Sequence, residues 1–545
     1  MRFPYWLALA VTLSLLSLPS RADEQDSHSH FGDMGQVGTV QFPTSCSATV
    51  QPQFERAVAM LHSFWYEEAC KAFQSIAETD PTCSMAWWGV AMSLWHPLWP
   101  VAPDAESLKK GLAAVAQAQS IAGNTGRERD YIAAIATFYG NYDKIDHRAR
   151  ALAYEKAMQQ VAQRYANDRE ASIFYSLALL ATAPPTDKTY ANQRKAGEIL
   201  EKVYAEQPNH PGAAHYIIHS YDNPVLAEHA LTAARSYAKI APSVPHAQHM
   251  PSHIFVRLGL WQEAIASNLA SAAAARDYEI KSHMEGVWDQ RLHAMDYLVY
   301  SYLQTGQEGE ARRVVEEASA ITDVKPAGLI AGYSLAAIPA RFTIERQHWA
   351  GAAILSPRSN TGPAAEAITW WARALGAARL GDVAAAQQDI AQIQLMKSKL
   401  DASPDPNAKY WAGQVEIQRR EADASLAHAQ GQDDEALRLM RSAVEMEDAT
   451  EKSPVTPGPV LPARELLADL LLETKQPALA LTEFQTSLKS APNRFHAIYG
   501  AAQAAESANQ PGLAKGYYAK VVENCSQYRP DDPSLRRAQQ FLAIR

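Results

Sequence analysis

The chain has 545 residues, of which 47% are hydrophobic and 20% charged, with a formal net charge of −9. That length exceeds what one compact core accommodates, so several domains or an extended repeat array are expected. The composition is that of a folded protein, and without a basic tract nucleic acid is not an expected partner.

Alanine is abundant and runs of Val, Ile and Thr are scarce, which favours helix over strand. At the start, Arg2, the apolar run Trp6 to Leu18 and the triplet Ser20-Arg21-Ala22 read as a secretory signal over residues 1–22. The apolar run is short for a membrane span, the alternative being an uncleaved anchor, and no other segment approaches the length a span needs. A mature chain beginning near Asp23, periplasmic or secreted, is therefore expected. Residues 23–50 form a polar leader without periodicity, expected to pack late or not at all, with His28 and His30 solvated. The four cysteines allow three pairings, and the sequence does not choose among them. Cys46 and Cys83 flank the first helix pair and could meet, whereas Cys70 lies on an apolar helix face as a small buried residue.

From Gln51 a helical period appears. Ala69 and Phe73 precede a closing Pro81, and Trp87 and Ala91 follow it. The same landmarks recur near the other end, as Leu467, Ala468, Ala480 and Phe484 before Pro492, then Ala502, Ala514 and Tyr518. Between them, Tyr302, Ala311 and Ala318, then Trp370, Ala374, Ala386 and Ile390, then Ala424, Ala436, Met440 and Ala443 mark further helix pairs. This spacing resembles the tetratricopeptide repeat, a pair of antiparallel helices of about 34 residues, and about ten such pairs tile the mature chain. The predicted fold is all-α, a right-handed superhelical α-solenoid of helix-turn-helix repeats. An N-terminal array over residues 51–355 would carry the functional surface and a C-terminal array 356–545 would follow it. Three loops, Ala183 to Asp187, Ser356 to Pro363 and Ser453 to Pro459, interrupt the period, with a soft joint expected near Ser356.

More narrowly, the segments Leu61 to Ala69, Asp80 to Gly89, His249-Met250-Pro251-Ser252-His253-Ile254 and Pro454 to Pro459 resemble those of a group of exported bacterial tetratricopeptide proteins. The resemblance implies the fold and export, and leaves the activity to be read from the residues. It also implies that first helices of the repeats line a concave groove that binds peptides.

Seven of the 17 histidines fall between His210 and His253. His215/His219 and His249/His253 are spaced i,i+4, which places each pair on one helix face. A register taken from Pro242, Ala230 and Tyr221 puts His215, His219 and Asp222 on the groove. Ala264 and Phe255 do the same for His246, His249 and His253, and Tyr302 and Ala311 for His293 and Asp296. Imidazoles and carboxylates converging in this way suit zinc or another first-row divalent ion. The candidate ligands are His215, His219, His249, His253, His293 and Asp296, with Asp222 and His246 as orienting partners. Binding needs neutral imidazoles, so affinity is expected to fall as pH drops through about 6.5. His210, His229 and His283 do not fit the register and read as structural.

In the first two repeats the groove positions Phe54, Val58, Leu61, Trp88, Met92 and Trp95 form an apolar wall, with His62 and His96 as polar tips. The wall would receive either a ligand, through His62, Trp88, Met92, Trp95 and His96, or the leader or a neighbouring subunit. Two function classes follow. One is a scaffold that binds a peptide, protein or small ligand in a metal-competent groove. The other is a metal-dependent hydrolase, although no His-Glu-x-x-His signature, Gly-x-Ser-x-Gly elbow or phosphate loop is present. A metal carrier is a third class.

Overall fold

The computed structural model describes residues 35–98, 102–359, 361–405, 407–526 and 532–543. The expected signal, the start of the leader with His28 and His30, and Trp99 and Pro100 lie outside them. Residues 36–545 form one compact unit.

The described residues hold 26 α-helices and one two-stranded parallel sheet, Val287–Trp288 against Val324–Lys325. The helices follow one another as antiparallel pairs, from Gln51–His62 with Tyr66–Thr79 to Phe495–Ser507 with Pro511–Asn524. The fold is the all-α tetratricopeptide solenoid. Its pairing follows from residue size: Ala69, Ala91, Ala374, Ala386, Ala424, Ala436, Ala468, Ala480, Ala502 and Ala514 are all fully buried where helices touch. The same interlock recurs at both ends. A Cβ at Gly89 would overlap the Phe73 ring, and a Cβ at Gly500 would overlap the Phe484 ring. Ala91→Leu and Ala468→Leu should each overpack a contact and cost about 1–3 kcal/mol, while Ala429→Leu on an exposed face should cost little. Urea unfolding of the three variants checks this; equal effects would mean the repeat register is wrong.

Many repeats place a left-handed residue in the turn between their helices. Gly259, Gly306, Gly381 and Gly431 supply it in four repeats, with φ between 65° and 79°. The first repeat places Phe64 there, at φ 56°. A bulky residue in that region is strained, and it persists only where its surroundings hold it.

The leader does not behave as expected. Its described part packs: Phe42 is fully buried between Phe54, Trp88 and Tyr131, with ring centroids at 5.5, 5.5 and 5.1 Å. Cys46 and Cys83 form a disulfide that ties the segment to the second helix pair. The predicted apolar wall is therefore covered by the chain itself. Trp88, Met92 and Trp95 are each about 99% buried, and Trp95 stacks on Phe138 at 3.9 Å. These three are core residues and do not line a groove open to ligand.

The late repeats also fold back onto the middle of the chain. The Trp261 indole N–H donates to the Asn493 carbonyl at 2.8 Å. Arg494, fully buried, reaches Glu345, Glu465 and the Tyr300 hydroxyl at 2.7–2.9 Å. The loop Ser453 to Pro462 enters the concave side, where Tyr297 donates to the Thr456 carbonyl at 3.1 Å and Arg341 to the Pro459 carbonyl at 2.8 Å. The concavity expected to be open is thus filled at the histidines.

Candidate metal centre

Three stretches of helix supply the histidines. Pro211–Tyr221 carries His215 and His219, and Asp289–Gln304 carries His293. The third is split by proline into Pro245–His249 and Pro251–Arg257. Pro251 lacks an N–H, but the backbone stays helical through Met250 at φ −54°, ψ −35°, so His249 and His253 remain on one face. Five of the six rings are buried and His219 is partly exposed.

The rings form two adjoining sets. The ligand atoms of His215, His219 and His246 lie within 4.8 Å of one another, as do those of His249, His253 and His293. The sets adjoin, with ring centroids 6.3 Å apart both for His219–His253 and for His246–His249. Among the described residues no carboxylate or thiolate joins either set.

The outer nitrogens are committed. His215 Nδ1 donates to the His62 carbonyl at 2.7 Å, His249 Nδ1 to Asn268 Oδ1 at 2.7 Å, and His253 Nδ1 to Asp222 Oδ2 at 2.9 Å. The Asn268 amide is fixed in turn, since its Nδ2 donates to the Ala264 carbonyl at 2.8 Å. A neutral imidazole has one N–H, so the Nε2 atoms of these three rings carry lone pairs. Two of those lone pairs face each other: His249 Nε2 and His253 Nε2 are 3.0 Å apart. His215 Nε2 and His219 Nε2 are 3.1 Å apart. Nitrogens each 2.0–2.1 Å from one tetrahedral ion would be about 3.3–3.4 Å apart. Nδ1 of His293 is buried with no hydrogen-bond partner among the described residues.

Burial holds these rings neutral. It drives the pKa of His215, His219, His246, His249 and His293 well below the usual imidazole value, and the neighbouring rings add to the effect. In His253 burial also lowers the pKa, against the pull of Asp222. Burial would raise the Asp222 pKa, but Lys452, Arg257 and His253 outweigh it and hold the carboxyl well below its usual range. Lys452 Nζ lies 3.0 Å and Arg257 Nε 2.9 Å from that carboxylate.

Asp296 and His246 depart from the roles read from the sequence. The Asp296 carboxylate does not reach the histidines. It faces Arg341 Nε at 3.1 Å, both side chains fully buried, and so anchors the arginine that grips the Ser453 to Pro462 loop. His246, expected as an orienting partner, stands with the ligand atoms of the first set. His62 and His96 are polar tips of no groove. His96 stacks on Tyr66 at 3.9 Å, and burial lowers its pKa to about 4. His62 and His210 both donate through Nε2 to Glu170, at 2.8 and 2.6 Å. Their other nitrogens accept from the Tyr216 hydroxyl at 3.1 Å and the Ala213 N–H at 3.2 Å. Every polar atom of that trio is thereby satisfied, so it is a hydrogen-bonded prop behind His215 and not a further metal set.

Phe64 was not anticipated as part of this region. Its ring lies over the first set, with centroids 4.4 Å from His215, 5.6 Å from His219 and 5.5 Å from His246. The available signal was a large aromatic at a turn position that four other repeats give to glycine and others to Gln347, Lys475 and Asn509.

On the other side of Asp222 lies a cavity of about 350 Å³, lined by Arg257, Lys452, Trp371, Tyr410, Trp411 and Glu421 among others. Burial pushes the Glu421 carboxyl well above its usual pKa and that of Glu447, also in the lining, up to about 8.

No family model and no curated protein matches the sequence. Among solved structures, a monomeric IFIT1 mutant with Gppp-AAAA is similar at 12% identity and a TM-score of 0.36, covering 88% of this chain and 96% of that one. The Cut9–Hcn1 hetero-tetramer of the APC/C is similar at 12% identity and 0.31, covering 90% and 89%. The TPR domain of P58(IPK) is similar at 14% identity and 0.21, covering 69% and 98%. At TM-scores below 0.5 these likenesses carry no argument about this chain.

Proposed function

We propose that this protein is an exported helical-repeat scaffold whose purpose is to hold transition-metal ions in a histidine core, beside a cavity that takes a small ligand or peptide. The observation that carries this reading is the 3.0 Å contact between His249 Nε2 and His253 Nε2, each ring having spent its proton on the outer side. Two lone pairs at that distance repel unless a cation lies between them. Burial makes a proton a poor candidate, which leaves a metal ion. Nitrogen-only donors favour zinc, copper, nickel or iron over magnesium and calcium. His62, Asn268 and Asp222 would orient the ligating rings from behind.

The Cys46–Cys83 disulfide supports an oxidising compartment, and no helix among the described residues is long and apolar enough to cross a membrane. The hydrolase alternative has less support. The carboxylate closest to the cluster, Asp222, already serves His253, Arg257 and Lys452, and is not free to take a proton from water.

Metal content of tag-free protein tests the proposal. Replacing His219 and His253 together by alanine should abolish bound metal, whereas His229→Ala should retain it. A double variant that keeps its full complement of metal would sink the assignment.

A further inference from the structure

The six imidazoles divide into two sets of three, each with its own ligand atoms within 4.8 Å of one another. The sets are neighbours, since both His219–His253 and His246–His249 have centroids 6.3 Å apart. Two ions would therefore sit side by side, with three nitrogens each.

Charge decides which ions. All six ligands are neutral, and the described residues add no carboxylate or thiolate to either set. The one anion touching the cluster, Asp222, is already balanced by Arg257 and Lys452. Among the described residues no other anion touching the cluster is left to offset the ions. The cost of taking an ion from water rises with the square of its charge, so a dication costs about four times as much as a monocation. Two dications side by side would also repel in a region of low dielectric. Zinc held by three imidazoles in addition needs a water as fourth ligand, whereas copper(I) does not. A monovalent ion that accepts imidazole and tolerates three-fold coordination is copper(I). The Tyr297 hydroxyl lies 3.3 Å from His253 Nε2, but it donates to the Thr456 carbonyl and stays a neutral phenol.

We propose that the six histidines form a dinuclear copper centre, three nitrogens to each ion, filled as copper(I). This rests on the metal reading above. The test is an anaerobic titration of the tag-free, metal-stripped full chain with copper(I), competing against bicinchoninate, with zinc(II) titrated in parallel. The expected result is two copper(I) per chain. His246→Ala and His293→Ala, one from each set, should each leave one, and their combination none. Circular dichroism reports whether each variant folds; if one does not, the wild-type stoichiometry decides. One copper(I) per chain, or zinc(II) bound in preference with two equivalents, overturns the dinuclear copper(I) assignment and leaves the metal scaffold standing. Binding of no metal of any kind overturns both.

Discussion

Arg494→Met should destabilise the protein by about 3–5 kcal/mol, the cost of leaving buried carboxylates without their counter-charge. Arg494 is fully buried, and its guanidinium meets Glu465 at 2.7 Å and Glu345 at 2.9 Å, with a further bond to the Tyr300 hydroxyl. Glu345 and Tyr300 lie 149 and 194 residues away in sequence, so the arginine fastens the late repeats to the middle ones. Removing it strands Glu345 and Glu465 in the interior. Replacing all three charges by apolar residues of similar volume should recover part of the loss, because the desolvation cost goes with the charges. Urea unfolding measures both. A loss below about 1 kcal/mol for the single change would mean that water or another cation reaches the carboxylates.

The second large effect concerns acid. In the metal-free protein, burial holds His215, His219, His246, His249 and His293 well below the usual imidazole pKa. The folded rings stay neutral where the unfolded rings bind protons, so the unfolded state holds more protons and stability rises with pH. Stability is therefore complete above about pH 6.5 and is lost as pH falls below it, by up to about 1.4 kcal/mol per pH unit for each ring. Five rings acting independently set an upper bound of about 7 kcal/mol per unit, enough to unfold a protein of ordinary stability. Thermal unfolding from pH 7.5 to 5 should show a steep fall below 6.5, flattened by His→Leu changes in the cluster. Bound metal should carry folding to lower pH, because the depressed pKa values let the rings resist protons. Release is then expected below the pH of about 6.5 that unperturbed imidazoles suggest. A flat profile in the metal-free protein would contradict the burial argument.

Local spacing made the solenoid and much of the cluster legible in the sequence. The alanines at helix contacts recur with the repeat, and the i,i+4 pairs His215/His219 and His249/His253 needed only helical geometry to share a face. What was not legible depends on contacts between distant segments. Asp296 looked like a ligand because it sits one turn from His293, and only Arg341, 45 residues later, claims it. Trp88 looked like part of a ligand wall because nothing in the polar leader announces that Phe42 will cover it, and Met92 and Trp95 because Tyr154 and Phe138, in later helices, close over them. The Pro-rich loop at Ser453 to Pro459 read as an interruption, yet it closes the concavity over Tyr297 and Arg341. His210 falls outside the repeat register, and its bond to Glu170 gives it a role behind His62. Phe64 could have been found by aligning the repeat turns, since bulky residues rarely occupy a left-handed position.

The central claim is that imidazole nitrogens alone hold metal in the core. X-ray absorption at the edge of whatever metal copurifies with the tag-free protein measures this most directly. The expected spectrum has a first shell of nitrogen only, near about 2.0–2.1 Å for zinc, with outer-shell scattering typical of histidine rings. That signal should vanish when His219 and His253 are both replaced. A first shell dominated by oxygen or sulfur, or a protein that takes up no metal after reconstitution, would contradict the assignment.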